Sequence, residues 1–187
     1  MRRDKFMKSI LTASALLSVV LTLTPSAVAQ DGERRTGALK TKVNPSRAGV
    51  FIDGKYVGSA ANYRRARKYT LTAGEHEVVL SDPRYEELKT KINVHPGETI
   101  TLSEHLKALP APQPPFGRLR TIGFDKYAAV YLNGKFYGHA DELDNFAQGL
   151  LIRPGEYTIR VESMKGNPAQ EEKVKIEDGK VTIVRAH

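Results

Sequence analysis

Five histidines, His76, His95, His105, His139 and His187, are the side chains best suited to proton transfer or metal ligation, since imidazole changes charge near neutral pH and offers a ring nitrogen to a metal. None stands with a second histidine or a carboxylate at a ligand spacing such as H-x-x-x-H, so the pattern supplies no metal site. The stretch Asp141-Glu142-Leu143-Asp144-Asn145 gathers the hard oxygen donors that calcium prefers. Its spacing is not that of an EF-hand loop and the closing bidentate Glu is missing, so it reads as a solvated loop. A Gly-rich phosphate loop, S-x-x-K, G-x-S-x-G and paired catalytic carboxylates are all missing. The chain has no cysteine, which excludes a thiolate nucleophile, a disulfide framework and a lipid-modified cysteine. The expectation is a protein with no catalytic residue, no metal and no cofactor.

What remains is surface chemistry. Arg64, Arg65, Arg67 and Lys68 form the densest basic cluster and suit phosphate or an acidic polysaccharide. Nucleic acid is not expected, because neither interleaved stacking aromatics nor a recognition helix accompanies the cluster. Tyrosines such as Tyr56 and Tyr137 are candidates for stacking on sugar rings, a signal weakened by the absence of tryptophan.

The elements that carry these residues occur twice. Ala48-Gly49-Val50-Phe51-Ile52-Asp53-Gly54-Lys55-Tyr56-Val57-Gly58 returns as Ala128-Ala129-Val130-Tyr131-Leu132-Asn133-Gly134-Lys135-Phe136-Tyr137-Gly138. Gly74-Glu75 is answered by Gly155-Glu156. In this alignment the acidic stretch at 141–145 faces a basic one, Asn62-Tyr63-Arg64-Arg65. The two could pair within one chain or head-to-tail between chains.

Short runs of alternating β-branched and aromatic residues predict strands near 39–44, 49–53, 55–58, 68–72, 75–81, 86–94 and 98–106. In the second copy they fall near 118–124, 129–133, 135–138, 149–153, 156–163, 170–176 and 180–185. Asp53-Gly54 and Asn133-Gly134 predict two-residue type I′ hairpins, whose central residues both need positive φ. Exchange of Asp for Asn suits a turn role and would abolish a catalytic acid. His95-Pro96-Gly97-Glu98 and Arg153-Pro154-Gly155-Glu156 predict type II turns reversing the chain between antiparallel strands. The fold class is therefore all-β, two small antiparallel sandwiches in tandem, with one helical turn at most in 141–148.

Residues 1–29 begin with four basic residues, continue as an apolar run from Ile10 to Leu23 and close on Ala27-Val28-Ala29, the form of a cleaved secretory signal peptide. No later run is long enough to span a bilayer, so a protein that does not span a membrane after removal of its signal is expected. The leader holds four of the 29 Lys/Arg residues and one of the 21 Asp/Glu residues, leaving a formal +5 of the total +8. Residues 30–37 read as a frayed tail, 38–109 as the first sandwich, 110–115 as an extended proline-rich connector and 116–187 as the second sandwich. A sandwich of about 70 residues with neither disulfide nor metal has a core giving only ~3–5 kcal/mol, so mutual support of the copies, or a partner, is expected despite the connector.

The repeat resembles the PEGA domain, a small β-sandwich module of exported bacterial and archaeal proteins. The likeness rests on Pro45-Ser46-Arg47-Ala48, on Val50 to Gly58, on Leu71-Thr72-Ala73-Gly74-Glu75-His76-Glu77-Val78 and on Tyr85. In copy two it rests on Ala129 to Gly138 and Leu150 to Ile159. Ser46 and Arg47 stand where the naming motif has Glu and Gly. The resemblance implies an interaction or structural role and carries over no catalytic residue. The expected protein is an exported, non-enzymatic binding or scaffolding module of the cell envelope, acting through an envelope protein or polysaccharide, with Arg64, Arg65, Arg67, Lys68, Tyr56, Tyr137, Asp141 and Asp144 as candidate contacts. The alternative is a carbohydrate-binding module for cell wall or exopolysaccharide.

Overall fold

A computed structural model of the chain describes residues 36–144 and 149–187. The expected signal peptide and most of the expected tail lie outside the described residues. The first copy comprises β1 (Thr36–Asn44), β2 (Gly49–Ile52), β3 (Lys55–Ser59), a 3₁₀ turn at Ala60–Tyr63, β4 (Tyr69–Thr72), β5 (Gly74–Ser81), β6 (Leu88–Val94) and β7 (Thr99–His105). The second comprises β8 (Gly117–Ile122), β9 (Ala129–Leu132), β10 (Lys135–His139), α1 (Ala140–Asp144), β11 (Leu150–Ile152), β12 (Gly155–Glu162), β13 (Gln170–Ile176) and β14 (Val181–Arg185). Thr36 and Gly37, expected in the tail, are the first residues of β1 and pair with Thr72 and Leu71.

Each copy stacks a four-stranded sheet on a three-stranded one: β3-β2-β5-β6 on β4-β1-β7, and β10-β9-β12-β13 on β11-β8-β14. Alternation along the strands sends one set of apolar side chains into each core. Leu39, Val50, Val78, Leu80 and Val94 fill the first, and Leu119, Val130, Ile159, Val161 and Ile176 the second. The buried hydroxyls of Thr41 and Thr121 donate to the carbonyls of Ala60 (2.6 Å) and Ala140 (2.8 Å), so neither core leaves them unsatisfied.

Asp53 (φ 50°) with Gly54 and Asn133 (φ 48°) with Gly134 form the predicted hairpin tips. In each, the side chain accepts from a neighbouring strand: Glu77 N–H to Asp53 Oδ1 at 3.0 Å and Thr158 N–H to Asn133 Oδ1 at 2.8 Å. An amide oxygen serves as well as a carboxylate there, which explains the exchange between copies.

The proline-glycine turns differ from expectation. The turn at 95–98 closes with Glu98 N–H on His95 O (3.1 Å), yet it carries the chain from the four-stranded sheet across to the three-stranded one. Strand β7 therefore lies parallel to β1, and β14 parallel to β8, while all other pairs are antiparallel. Gly155 is already a strand residue, paired with Ile176. A turn motif fixes the local bend but not which sheet receives the next strand.

Candidate functional site between the two copies

Each four-stranded sheet carries an apolar patch on its outer face, and the two patches cover one another. Phe51 and Tyr56 of the first copy meet Ala129, Tyr131 and Phe136 of the second. The Phe136 ring lies 5.4 Å from Phe51, edge to face, and 5.6 Å from Tyr56. Gly49 sits beneath it: a Cβ there would lie 2.8 Å from two Phe136 ring carbons, so this position must lack a side chain. Since Tyr56 and Phe136 are equivalent positions in the repeat, their mutual contact marks an isologous, pseudo-two-fold interface inside one chain. Burial raises the Tyr56 phenol far above its ordinary range.

Two clefts flank this interface, built from equivalent elements. In the first, β10 and β11 face the 82–87 loop, and Arg47, Arg84, Tyr137, Asp141 and Glu142 line it. Arg47 Nη2 pairs with Asp141, its Nε is 2.9 Å from Glu142 Oε1, and Arg84 Nη2 is 3.5 Å from the same oxygen. Glu142 Oε2 lies 3.0 Å from Nδ1 of the fully buried His139 and accepts from its backbone N–H at 3.1 Å. Burial alone would raise the Glu142 carboxyl, but the hydrogen bond from His139 and the charge of Arg47 outweigh it and hold it at about 2. The cleft is latched by ion pairs between the copies.

In the second cleft, β3 and β4 face the 163–169 loop, enclosing about 1110 Å³. Phe51, Tyr56 and Tyr69 on one side meet Tyr131, Arg160, Glu162 and Asn167 on the other. Asn62 and Glu142 are structural equivalents, for each lies over the matching glycine: Asn62 Nδ2 is 2.9 Å and Glu142 Oε2 3.1 Å from where a Cβ would stand on Gly58 and Gly138. Ala61 and Asn62 thus replace the acidic pair of the latched cleft. Among the described residues no ion pair between the copies crosses this second cleft.

Several expectations change. The acidic segment is not a solvated loop, because Asp141 and Glu142 are half-buried on α1. Its partner within the chain is Arg47 together with Arg84, and not the cluster Arg64, Arg65, Arg67 and Lys68, which is exposed on the loop before β4. Asp144 is exposed and stays within its own copy, 3.5 Å from Arg120. Tyr56 does not offer a free face for stacking, since the second copy covers it, and Tyr137 packs against its own core. The proline connector does not hold the copies apart. His139 and Glu142, which no ligand spacing in the sequence joined, are in contact. His76 Nδ1 lies 2.7 Å from Asp53 Oδ2, and this bond raises the imidazole's pKa.

Among the described residues no group of three or more His, Cys, Asp or Glu side chains is placed to hold a metal ion, and no helix is long and apolar enough to cross a membrane. No curated protein matches the chain. Residues 36–109, which span the whole of the first sandwich from β1 to just beyond β7, match the PEGA domain family.

Proposed function

We propose that the protein is a non-catalytic binding or scaffolding module of the bacterial cell envelope, its two copies acting as one rigid tandem that contacts an envelope protein or the cell surface. The observation that carries this reading is how the two His–carboxylate pairs are used. His76–Asp53 fastens a hairpin tip and His139–Glu142 fastens the latch between copies. Both sit where they hold backbone, and neither opens onto a nucleophile. Exposed candidates for contact are Arg64, Arg65, Arg67 and Lys68 and the hairpin tips at 53–55 and 133–135, on loops and turns. The leader-like residues 1–29 and the PEGA match over 36–109 support export to the envelope.

Photo-cross-linking in intact cells from position 65 and from position 133 tests this. An envelope component should be trapped, and replacing Arg64, Arg65 and Arg67 by Ser should cut the yield severalfold. If neither position gives an adduct and isolated envelopes do not retain the protein, the reading fails. A second reading, a carbohydrate-binding module, is favoured by the unlatched cleft.

A further inference from the structure

The repeat gives this protein two equivalent clefts, and among the described residues ion pairs between the copies bridge only one of them. In the latched cleft Arg47 and Arg84 form ion pairs with Asp141 and Glu142, which join its two walls. In the other, Ala61 and Asn62 stand at the acidic positions, and the facing loop presents Met164 and Asn167 to solvent. Met164 is 46% exposed, one of four large apolar side chains so exposed among the described residues. It stands at the mouth of a cleft of about 1110 Å³, large enough to hold a small ligand.

The lining defines the ligand. The floor is aromatic: Phe51 and Tyr69 line it half-buried, beside Tyr56 and Tyr131, which the second copy and Arg160 already cover. Arg160 lies over the Tyr131 ring, 4.7 Å from its centroid, and pairs with Glu162, so a guanidinium and a carboxylate stand together at the cleft. Asp53 and Glu162 balance Lys55 and Arg160 in charge, which disfavours a polyanion or a polycation as occupant. A neutral molecule with flat C–H faces and a rim of hydroxyls matches both halves of this surface: the faces pack on the aromatic floor, and the hydroxyls bond the Arg160–Glu162 pair and the Asn167 amide.

We propose that the open cleft is a glycan site that takes a short run of neutral pyranose rings. This rests on reading the chain as a binding module, and it supplies that module's site and ligand class.

The test uses the full chain without its leader and two probes, the tetramer of N-acetylglucosamine and the tetramer of glucose, followed by NMR. At least one tetramer should shift the Asn167 side-chain amide and the Tyr69 ring signals. Glu162→Gln and Asn167→Ala should each weaken that binding at least tenfold, while Arg84→Ala, in the latched cleft, should change it less than twofold. If neither tetramer shifts these signals, or if the cleft variants bind as the parent does, the proposal is overturned. If a pool of extended octapeptides shifts the same signals and the sugars do not, the ligand class is wrong while the binding-module reading stands. That wider reading fails only if cross-linking from positions 65 and 133 and envelope retention are negative as well.

Discussion

Tyr56 and Phe136 occupy the same place in two copies of one sequence, and their rings touch, with centroids 5.6 Å apart. A residue meeting its own counterpart is what a two-fold homodimer shows at its axis, here made permanent by fusion of the two subunits into one chain. Fusion removes the entropy cost of bringing separate subunits together, so a small aromatic patch suffices. A sandwich of about 70 residues with neither disulfide nor metal is expected to gain stability from such a contact.

Phe136→Ala tests that dependence. The ring is buried against Phe51, Tyr56 and Tyr131, and truncating such a side chain costs about 3–5 kcal/mol. The melting midpoint should fall on the order of 10 °C, and the single transition should divide as the copies lose their coupling. Residues 116–187 alone should melt below the full chain. An equal midpoint for fragment and full chain would refute mutual support.

The strands were legible in the sequence because alternation with period two and the Asp-Gly and Asn-Gly tips are local signals, and every strand lies where that pattern places it. The interface was not. Period two assigns Tyr56 to the face away from the core, which reads as solvent, and nothing local reveals that a second sheet covers it. The latch joins residues 94 positions apart and has no periodic signature. One trace was present: Arg47 stands where the PEGA motif has Gly, and that departure is the residue that bridges the copies. The sheet of destination for β7 and β14 was likewise invisible, because the Pro96-Gly97 and Asp178-Gly179 turns before them would look the same within a sheet and between sheets.

Acid should open the latch. Glu142 has its carboxyl held at about 2, below its ordinary 4.5, so its contribution to stability is complete above the unfolded value and is lost as pH falls from ~4.5 towards 2. Denaturant titrations across this range should show a falling midpoint, and Glu142→Gln should flatten that part of the profile while lowering stability at neutral pH. An unaltered profile in the variant would remove Glu142 from the latch.

The His76–Asp53 pair should respond with the opposite sign. The bond to Asp53 raises the imidazole's pKa, so its support is complete below 6.5 and disappears as pH rises through the folded value. Asp53→Asn copies the second hairpin, where Asn133 holds the same turn, and should keep the fold while returning His76 towards its ordinary titration. A ring-proton titration of His76 that is the same in both proteins would contradict the pairing.

Arg47→Gly restores the residue of the PEGA motif and removes both of its ion pairs with α1. The Arg47 and Asp141 side chains are 37% and 24% exposed, so solvent screening limits the loss to about 1 kcal/mol or less, small beside that of Phe136→Ala. The aromatic patch should keep the copies together, and the change should appear in local motion. Hydrogen exchange should quicken at the junction of β10 and α1, most of all for His139 N–H at the end of β10, which donates to Glu142 while that carboxylate is held in place. Exchange there that matched the parent protein would mean that His139 alone positions Glu142, leaving Arg47 as a surface charge.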